Sequence, residues 1–358
     1  MPTRTEQRVI RSQLEDVAHD RDVEILAAKA YGSRSTGLED AGSDYDVMFI
    51  YLSPPTTYMS DSQSDTIRDT VSPSDNDLGT EIELHGWNLQ KYIGSDGLAG
   101  SNPTAITCAN SPVTYFMDAR IADRFESMES EAVTWAKPYA LIMHQRSKAE
   151  NNYRKYIQQS FALDDGVSWG EIWESVETEN GPWNYLQEEA VENVSVDPDE
   201  SQVTEYGVDV IASTDVAVQF EHIPADRALD LGYVRETTLD RTVKRYLNIC
   251  EALIRARYVE DTSTVPLETV ADVLGHVRAH DLVSEDVCSE ILDLFMEKKA
   301  GDGDEIVRDA DVINSWVESE LQRDIDPEPY VQQEPDRAIL RADAERIAET
   351  IWGDSDAV

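Results

Sequence analysis

The stretch that most constrains this chain is residues 31–47, YGSRSTGLEDAGSDYDV. Gly32-Ser33 makes a small turn, ten residues follow, and Asp44 and Asp46 then flank Tyr45. Side chains alternate faces along a strand, so Asp44 and Asp46 point one way and Tyr45 and Val47 the other. Two carboxylates on one face repel unless a cation sits between them. That arrangement suits Mg²⁺, a hard ion that takes oxygen ligands and shares them with phosphates. The Gly-Ser turn can present backbone N–H groups to those phosphates.

The residues around this stretch predict alternating helix and strand. Val9, Ile10, Leu14 and Val17 recur at helical spacing within residues 5–19. Residues 23–31 and 44–52 read as buried strands, the second ended by Pro54-Pro55. Residues 56–80 are polar loop, with a short strand around 66–71. In residues 80–85, Ile82 and Leu84 share one face and Glu81, Glu83 and His85 the other, which predicts a third strand.

The ordered set of an apolar residue, Gly32-Ser33, a spacer and Asp44-Tyr45-Asp46 resembles the signature of the DNA polymerase beta superfamily of nucleotidyltransferases. Further blocks narrow the resemblance to the RNA-repair-pathway polymerase beta family. They are Gly86-Trp87-Asn88-Leu89-Gln90-Lys91, Asn102-Pro103 and Ser111-Pro112-Val113-Thr114-Tyr115. Similar blocks follow from Thr242 to Leu247 and from Leu253 to Tyr258, and near Phe295 to Lys299. Asn88 departs from an Asp usual in the family and Gln90 from an Arg; a helix N-cap role is one that Asn fills as well as Asp.

The resemblance implies an α+β fold: a small mixed β-sheet nucleotidyltransferase core with flanking helices, followed by a mainly helical C-terminal domain. It implies a catalytic domain over 1–120, connecting helices over 121–163 and a helical domain over 239–358, while it lapses over 164–238, whose acidic composition reads as an insertion. It implies a third carboxylate, Glu83 with Glu81 as rival, joining Asp44 and Asp46 to hold two Mg²⁺ ions, with Mn²⁺ an alternative. Gly32, Ser33, Arg34 and Lys91 would hold a nucleoside triphosphate. The reaction implied is transfer of a nucleoside monophosphate to a hydroxyl, on an RNA end or, as in minimal relatives of toxin–antitoxin systems, on a protein. A catalytically silent nucleotide-binding module is the alternative of another class.

Composition bounds these readings. The 358 residues carry a formal net charge of −42, spread along the whole length. Such a chain repels itself at ordinary ionic strength, and the repulsion is largely screened at molar salt, where the Debye length is about 3 Å. The acidic, lysine-poor composition resembles haloarchaeal proteins. Nucleic-acid binding through a broad basic patch is excluded, although local Arg and Lys groups and metal ions can still serve a polynucleotide. The 41% hydrophobic content and 7 Trp argue against disorder.

Cys108, Cys250 and Cys288 are far apart, so they read as reduced core residues of a cytoplasmic protein. No apolar signal region or membrane span is expected. Residues 120–163 read as helical, with Lys148, Arg154, Lys155 and two tyrosines as the locally basic, aromatic part. In the acidic insertion, Trp169, Trp173 and Trp183 read as anchors of a small core, and 192–206 as loop. Lys244, Arg245, Arg255 and Arg257 lie on a strong helix, either facing a cleft or paired with the abundant carboxylates. Several helices are expected over 264–335 and an amphipathic one over 336–352. His276 and His280 have the i, i+4 spacing of zinc ligands, but no Glu follows His276 and no Cys is near, which argues against a metal there.

Overall fold

A computed structural model describes residues 2–55, 65–158, 161–180, 195–196, 198, 201–204, 206–213, 218–237, 241–266, 269–330 and 337–355. The chain divides into two compact units. One comprises residues 1–148, 250–303 and 310–358; the other comprises 149–249 and 304–309. The four segments expected from sequence group the chain differently, because the helices after residue 250 pack in the same unit as the sheet.

The larger unit begins with α1 (Arg4–Arg21). Thr3 and Glu6 close a capping box at its start, and Val9, Ile10, Leu14 and Val17 form its buried stripe. Strands β1 (Glu24–Ala30), β2 (Tyr45–Leu52), β3 (Thr66–Val71), β4 (Ile82–Asn88) and β5 (Thr114–Met117) form a five-stranded sheet of order β3-β4-β2-β1-β5. β2 and β4 are parallel, and the other neighbours antiparallel. The α1 stripe packs against Tyr45, Val47, Phe49, Tyr51, Ile82 and Leu84.

The short helix α2 (Gly32–Thr36) links β1 to the spacer before β2. Helices α3 (Leu89–Ile93), α4 (Pro103–Ala109) and α5 (Ala122–Thr134) follow the later strands. Buried Lys29 on β1 reaches the Glu129 carboxylate of α5 at 2.5 Å, and the Tyr92 hydroxyl of α3 donates to the same carboxylate at 2.6 Å. A buried charge is tolerated only when paired in this way.

The Gly86-to-Lys91 block ends β4 and opens α3, with Asn88 in the N-cap role expected of it. Gly86 and Trp87 belong to β4, and Asn88 caps α3 by accepting from the Gln90 N–H. Gly86 lies opposite Phe49, and a Cβ there would stand 2.3 Å from the buried Phe49 ring, so a larger residue would have to displace that ring.

Helix α6 (Pro138–Tyr153) follows α5. Beyond residue 250, the larger unit holds most of the helix Val243–Thr262, then Val270–Ala279, Glu285–Ala300, Asp311–Gln322 and Arg337–Ser355. Two lysines of Glu285–Ala300 hold the spacer between Ser33 and Asp44. Lys298 pairs with Asp40, and Lys299 donates to the Glu39 carbonyl at 2.5 Å. The three cysteines are buried and free.

The smaller unit contains β6 (Phe161–Leu163), α7 (Trp169–Asn180), β7 (Ser195–Val196), β8 (Gln202–Thr204), β9 (Gly207–Ser213), β10 (Val218–Pro224), α8 (Ala225–Asp230) and β11 (Val234–Glu236). β9 pairs with β7, β8 and β10, and β6 pairs with β11. Its core holds Trp173 with Ile172, Val208, Val210 and Ile223, and Trp169 packs against it. Trp183 lies outside the described residues, and the described part of the loop expected over 192–206 instead contributes β7 and β8 to the sheet around β9. With the smaller unit's elements counted, the helix Val243–Thr262 is α9, Val270–Ala279 is α10, Glu285–Ala300 is α11, Asp311–Gln322 is α12 and Arg337–Ser355 is α13.

Candidate active site

Alternation in β2 sends Tyr45 and Val47 into the core under α1, and Asp46 and Met48 to the opposite face. The parallel register places Asp46 directly beside Glu83, and Met48 beside His85. Neighbouring strands run about 4.8 Å apart, so Asp46 and Glu83 project side by side from one face. Asp44 is exposed, just before β2; Glu81 is half-buried, just before β4. Glu81 contributes a backbone carbonyl that accepts from the Tyr45 N–H at 2.9 Å.

Asp46 and Glu83 line a cavity of about 120 Å³, together with Tyr31, Val47, Met48, His85, Trp87 and Thr104. Gly32 borders Asp46 so closely that a Cβ on it would lie 2.0 Å from the carboxylate Oδ2. Its φ of +59° is one that L residues rarely adopt. A glycine is therefore needed twice over, for the turn and for the approach of the carboxylate.

Tyr31 hydrogen-bonds Thr104, and burial, with Cys108, Asp46 and Glu251 adding, raises its hydroxyl above the ordinary value. It stays protonated at neutral pH on the cavity wall. Lys91 on α3 holds its ammonium 5.0 Å from the centroid of the Trp87 ring, which lines the cavity. The His85 Nε2 lies 3.6 Å from Glu83 Oε2.

The carboxylates of Asp44, Asp46 and Glu83 do not all come within 4.8 Å of one another. Asp46 and Glu83 nonetheless present hard oxygens on a shared face and at a cavity wall, and so fit Mg²⁺ in chemistry.

Arg34, expected among the nucleotide-binding residues, is engaged elsewhere. Its guanidinium donates to the Asp44 carbonyl at 3.0 Å and the Ser43 carbonyl at 2.6 Å, and lies 3.5 Å over the Tyr45 ring. Tyr45 points to the face opposite Asp46, so Arg34 braces the loop from behind. Ser33 lies in α2 beside Gly32, and its carbonyl accepts from the Leu38 N–H.

Two cations of α9, Arg255 and Arg257, are paired with carboxylates. Arg255 donates to buried Glu251 at 3.0 Å, and Lys148 lies 3.8 Å from the same carboxylate. Burial alone would raise the Glu251 carboxyl, but Lys148 and Arg255 outweigh it and hold it below the usual range. Arg257 lies 3.4 Å from Glu260 and 3.3 Å from Glu320. Arg245 lies over the Tyr156 ring at 3.7 Å.

Sequence reasoning missed Tyr31, Thr104 and Trp87 as cavity residues. For Trp87 the signal was present: it continues the alternation of Glu83 and His85. Thr104 follows the Asn102 cap of α4, and only the tertiary fold brings it to Tyr31.

A mixed sheet with Asp46 beside Glu83, next to a glycine turn, has the outline of a polymerase beta-like nucleotidyltransferase. The chain belongs to the RNA repair pathway DNA polymerase beta family, RlaP, whose model matches residues 7–344. It is 30% identical over 152 residues to the uncharacterized protein YcgL of Bacillus subtilis, an alignment covering 42% of this chain and 54% of that protein. The chain thus spans about half the length of that curated relative. A crystal structure of a nucleotidyltransferase-like protein from Exiguobacterium sibiricum aligns over 96% of this chain and 76% of that one, at 7% identity. Its TM-score of 0.27 carries no argument about this fold. No described helix is long and apolar enough to cross a membrane.

Proposed function

We propose that the protein transfers a nucleoside monophosphate from a nucleoside triphosphate to a hydroxyl acceptor, an RNA end in the reading that the family's name favours. The observation that carries this is the register pairing of Asp46 with Glu83 at the cavity wall. It favours an active enzyme over a silent nucleotide-binding module, which needs no second carboxylate beside the first.

Asp44, Asp46 and Glu83 are the residues that would hold Mg²⁺, which supplies charge neutralisation at the phosphates and activation of the hydroxyl. Gly32 leaves room for the Asp46 carboxylate and exposes backbone to the phosphates. Lys91 offers an ammonium to the triphosphate, and Trp87 an aromatic face at the same wall. The acceptor oxygen bonds to the α-phosphorus as the bond to pyrophosphate breaks. Its proton passes to a cavity carboxylate, for which Asp46 and Glu83 are placed.

The test is transfer from α-labelled triphosphates in molar KCl with Mg²⁺, offering RNA with free 3′ and 5′ ends and co-expressed protein. The double variant Asp44→Ala, Asp46→Ala is expected to lose at least ~100-fold in rate. Equal activity in wild type and variant would end the assignment. A mass gain of one nucleotide on a protein, with no label on RNA, would move the acceptor to protein.

A further inference from the structure

A second constellation lies in the larger unit, between the ends of α9 and α10. Asp261 is in the last turn of α9; His276 is in the last turn of α10, and His280 caps it. Sequence alone shows only the two histidines, and the third group arrives through helix packing. The His276 Nε2 lies 2.9 Å from Asp261 Oδ2, and the His280 Nδ1 lies 3.3 Å from the same oxygen. The two imidazoles stack with centroids 4.1 Å apart, and one ligand atom from each of the three residues lies within 4.8 Å of the others.

We propose that Asp261, His276 and His280 form a binding site for a divalent transition-metal ion of the zinc type. Tetrahedral zinc with ligand bonds of about 2.0–2.1 Å sets neighbouring donor atoms roughly 3.3 Å apart. The observed separations of 2.9 and 3.3 Å sit close to that spacing. Two imidazoles and one carboxylate select Zn²⁺, Co²⁺, Ni²⁺ or Cu²⁺ over Mg²⁺ and Ca²⁺. Both helices end here, so both direct the negative ends of their dipoles toward the ion.

Neighbouring cations are committed elsewhere. Arg278 donates through Nε to Glu285 at 2.8 Å, and Arg257 pairs with Glu260 and Glu320. Among the described residues, the polar partners of the Asp261 carboxylate are the two imidazoles. The Tyr258 ring, 4.6 Å from that of His276, walls one side. Three protein ligands leave a fourth position for water or an external ligand. The bound ion would tie α9 to α10. The competing arrangement is a metal-free tie in which both imidazole N–H groups donate to Asp261.

The two are separated by titrating the chelator-stripped full chain with Co²⁺, read by visible absorption, and with Zn²⁺, read by calorimetry, in molar KCl. One ion per chain with a tetrahedral Co²⁺ spectrum is expected. Affinity should fall roughly tenfold or more in His280→Ala, whose side chain is half exposed and expendable for folding. Asp261→Asn, which can still accept hydrogen bonds, should fall as far. Asp46→Asn should leave this binding unchanged. No saturable binding below about millimolar ion, or binding lost in Asp46→Asn and retained in His280→Ala, would overturn the site.

Discussion

At residue scale two positions are held by close fits, Gly32 beside Asp46 and buried Asn88 at the start of α3. Gly32 holds φ +59° with the Asp46 carboxylate against its Cα. Gly32→Ala is expected to cost about 1–3 kcal/mol in stability and to displace Asp46, so that transfer falls further than the melting temperature alone predicts. Thermal unfolding and transfer rate, measured on the same preparation, check this. Asn88 is fully buried, caps α3 and donates to the Ser53 hydroxyl at 3.3 Å. Asn88→Ala should cost about 1–2 kcal/mol in urea unfolding, while Asn88→Asp, which keeps the cap, should cost less. The turn at Gly32 and the strand that carries Asp46 were legible in sequence because their geometry is local. Arg34 was not, because its partners at Ser43, Asp44 and Tyr45 meet it only once the spacer has folded back.

At element scale, the pairing of β2 with β4 decides which glutamate stands beside Asp46. Alternation alone left Glu81 and Glu83 on the same face, since both obey the period of two. Register is set by pairing between strands distant in sequence, and it sets Glu83 beside Asp46. The early helix and strands were readable from periodicity, as α1, β1 and β2 illustrate. The end of β4 was not, because Gly86 is selected by the Phe49 ring across the sheet. The cations of α9 likewise look alike in sequence, and only packing assigns Arg255 to Glu251 and Arg257 to Glu260 and Glu320. Glu251 has a folded-state value held below its unfolded one. Its charge therefore stabilises the fold above the unfolded value near 4.5, and that contribution is lost as pH falls through the folded value. Glu251→Gln should lower stability at pH 7 by about 3 kcal/mol, with the gap to wild type closing on acidification. Denaturant unfolding across pH 3–7 reads it.

At the scale of the whole molecule, the net charge of −42 sets the conditions under which any of this is observed. Self-repulsion should make the melting temperature climb steeply between about 0.1 and 1 M KCl, as the Debye length falls from ~10 Å to ~3 Å. A flat response would contradict the electrostatic account. Charge and composition were legible without a structure, whereas the grouping of residues 250–303 and 310–358 with the sheet was not. Contacts such as Lys298 with Asp40 join residues that no periodicity connects. The central claim is that Asp46 and Glu83 share a catalytic ion. It is tested most directly by Mn²⁺ binding in the presence of a non-hydrolysable triphosphate, followed by electron paramagnetic resonance in a His280→Ala background. The account predicts that Glu83→Gln weakens Mn²⁺ binding at least about tenfold while Glu81→Gln leaves it nearly unchanged. Equal binding in Glu83→Gln and its parent, or loss only in Glu81→Gln, would contradict it.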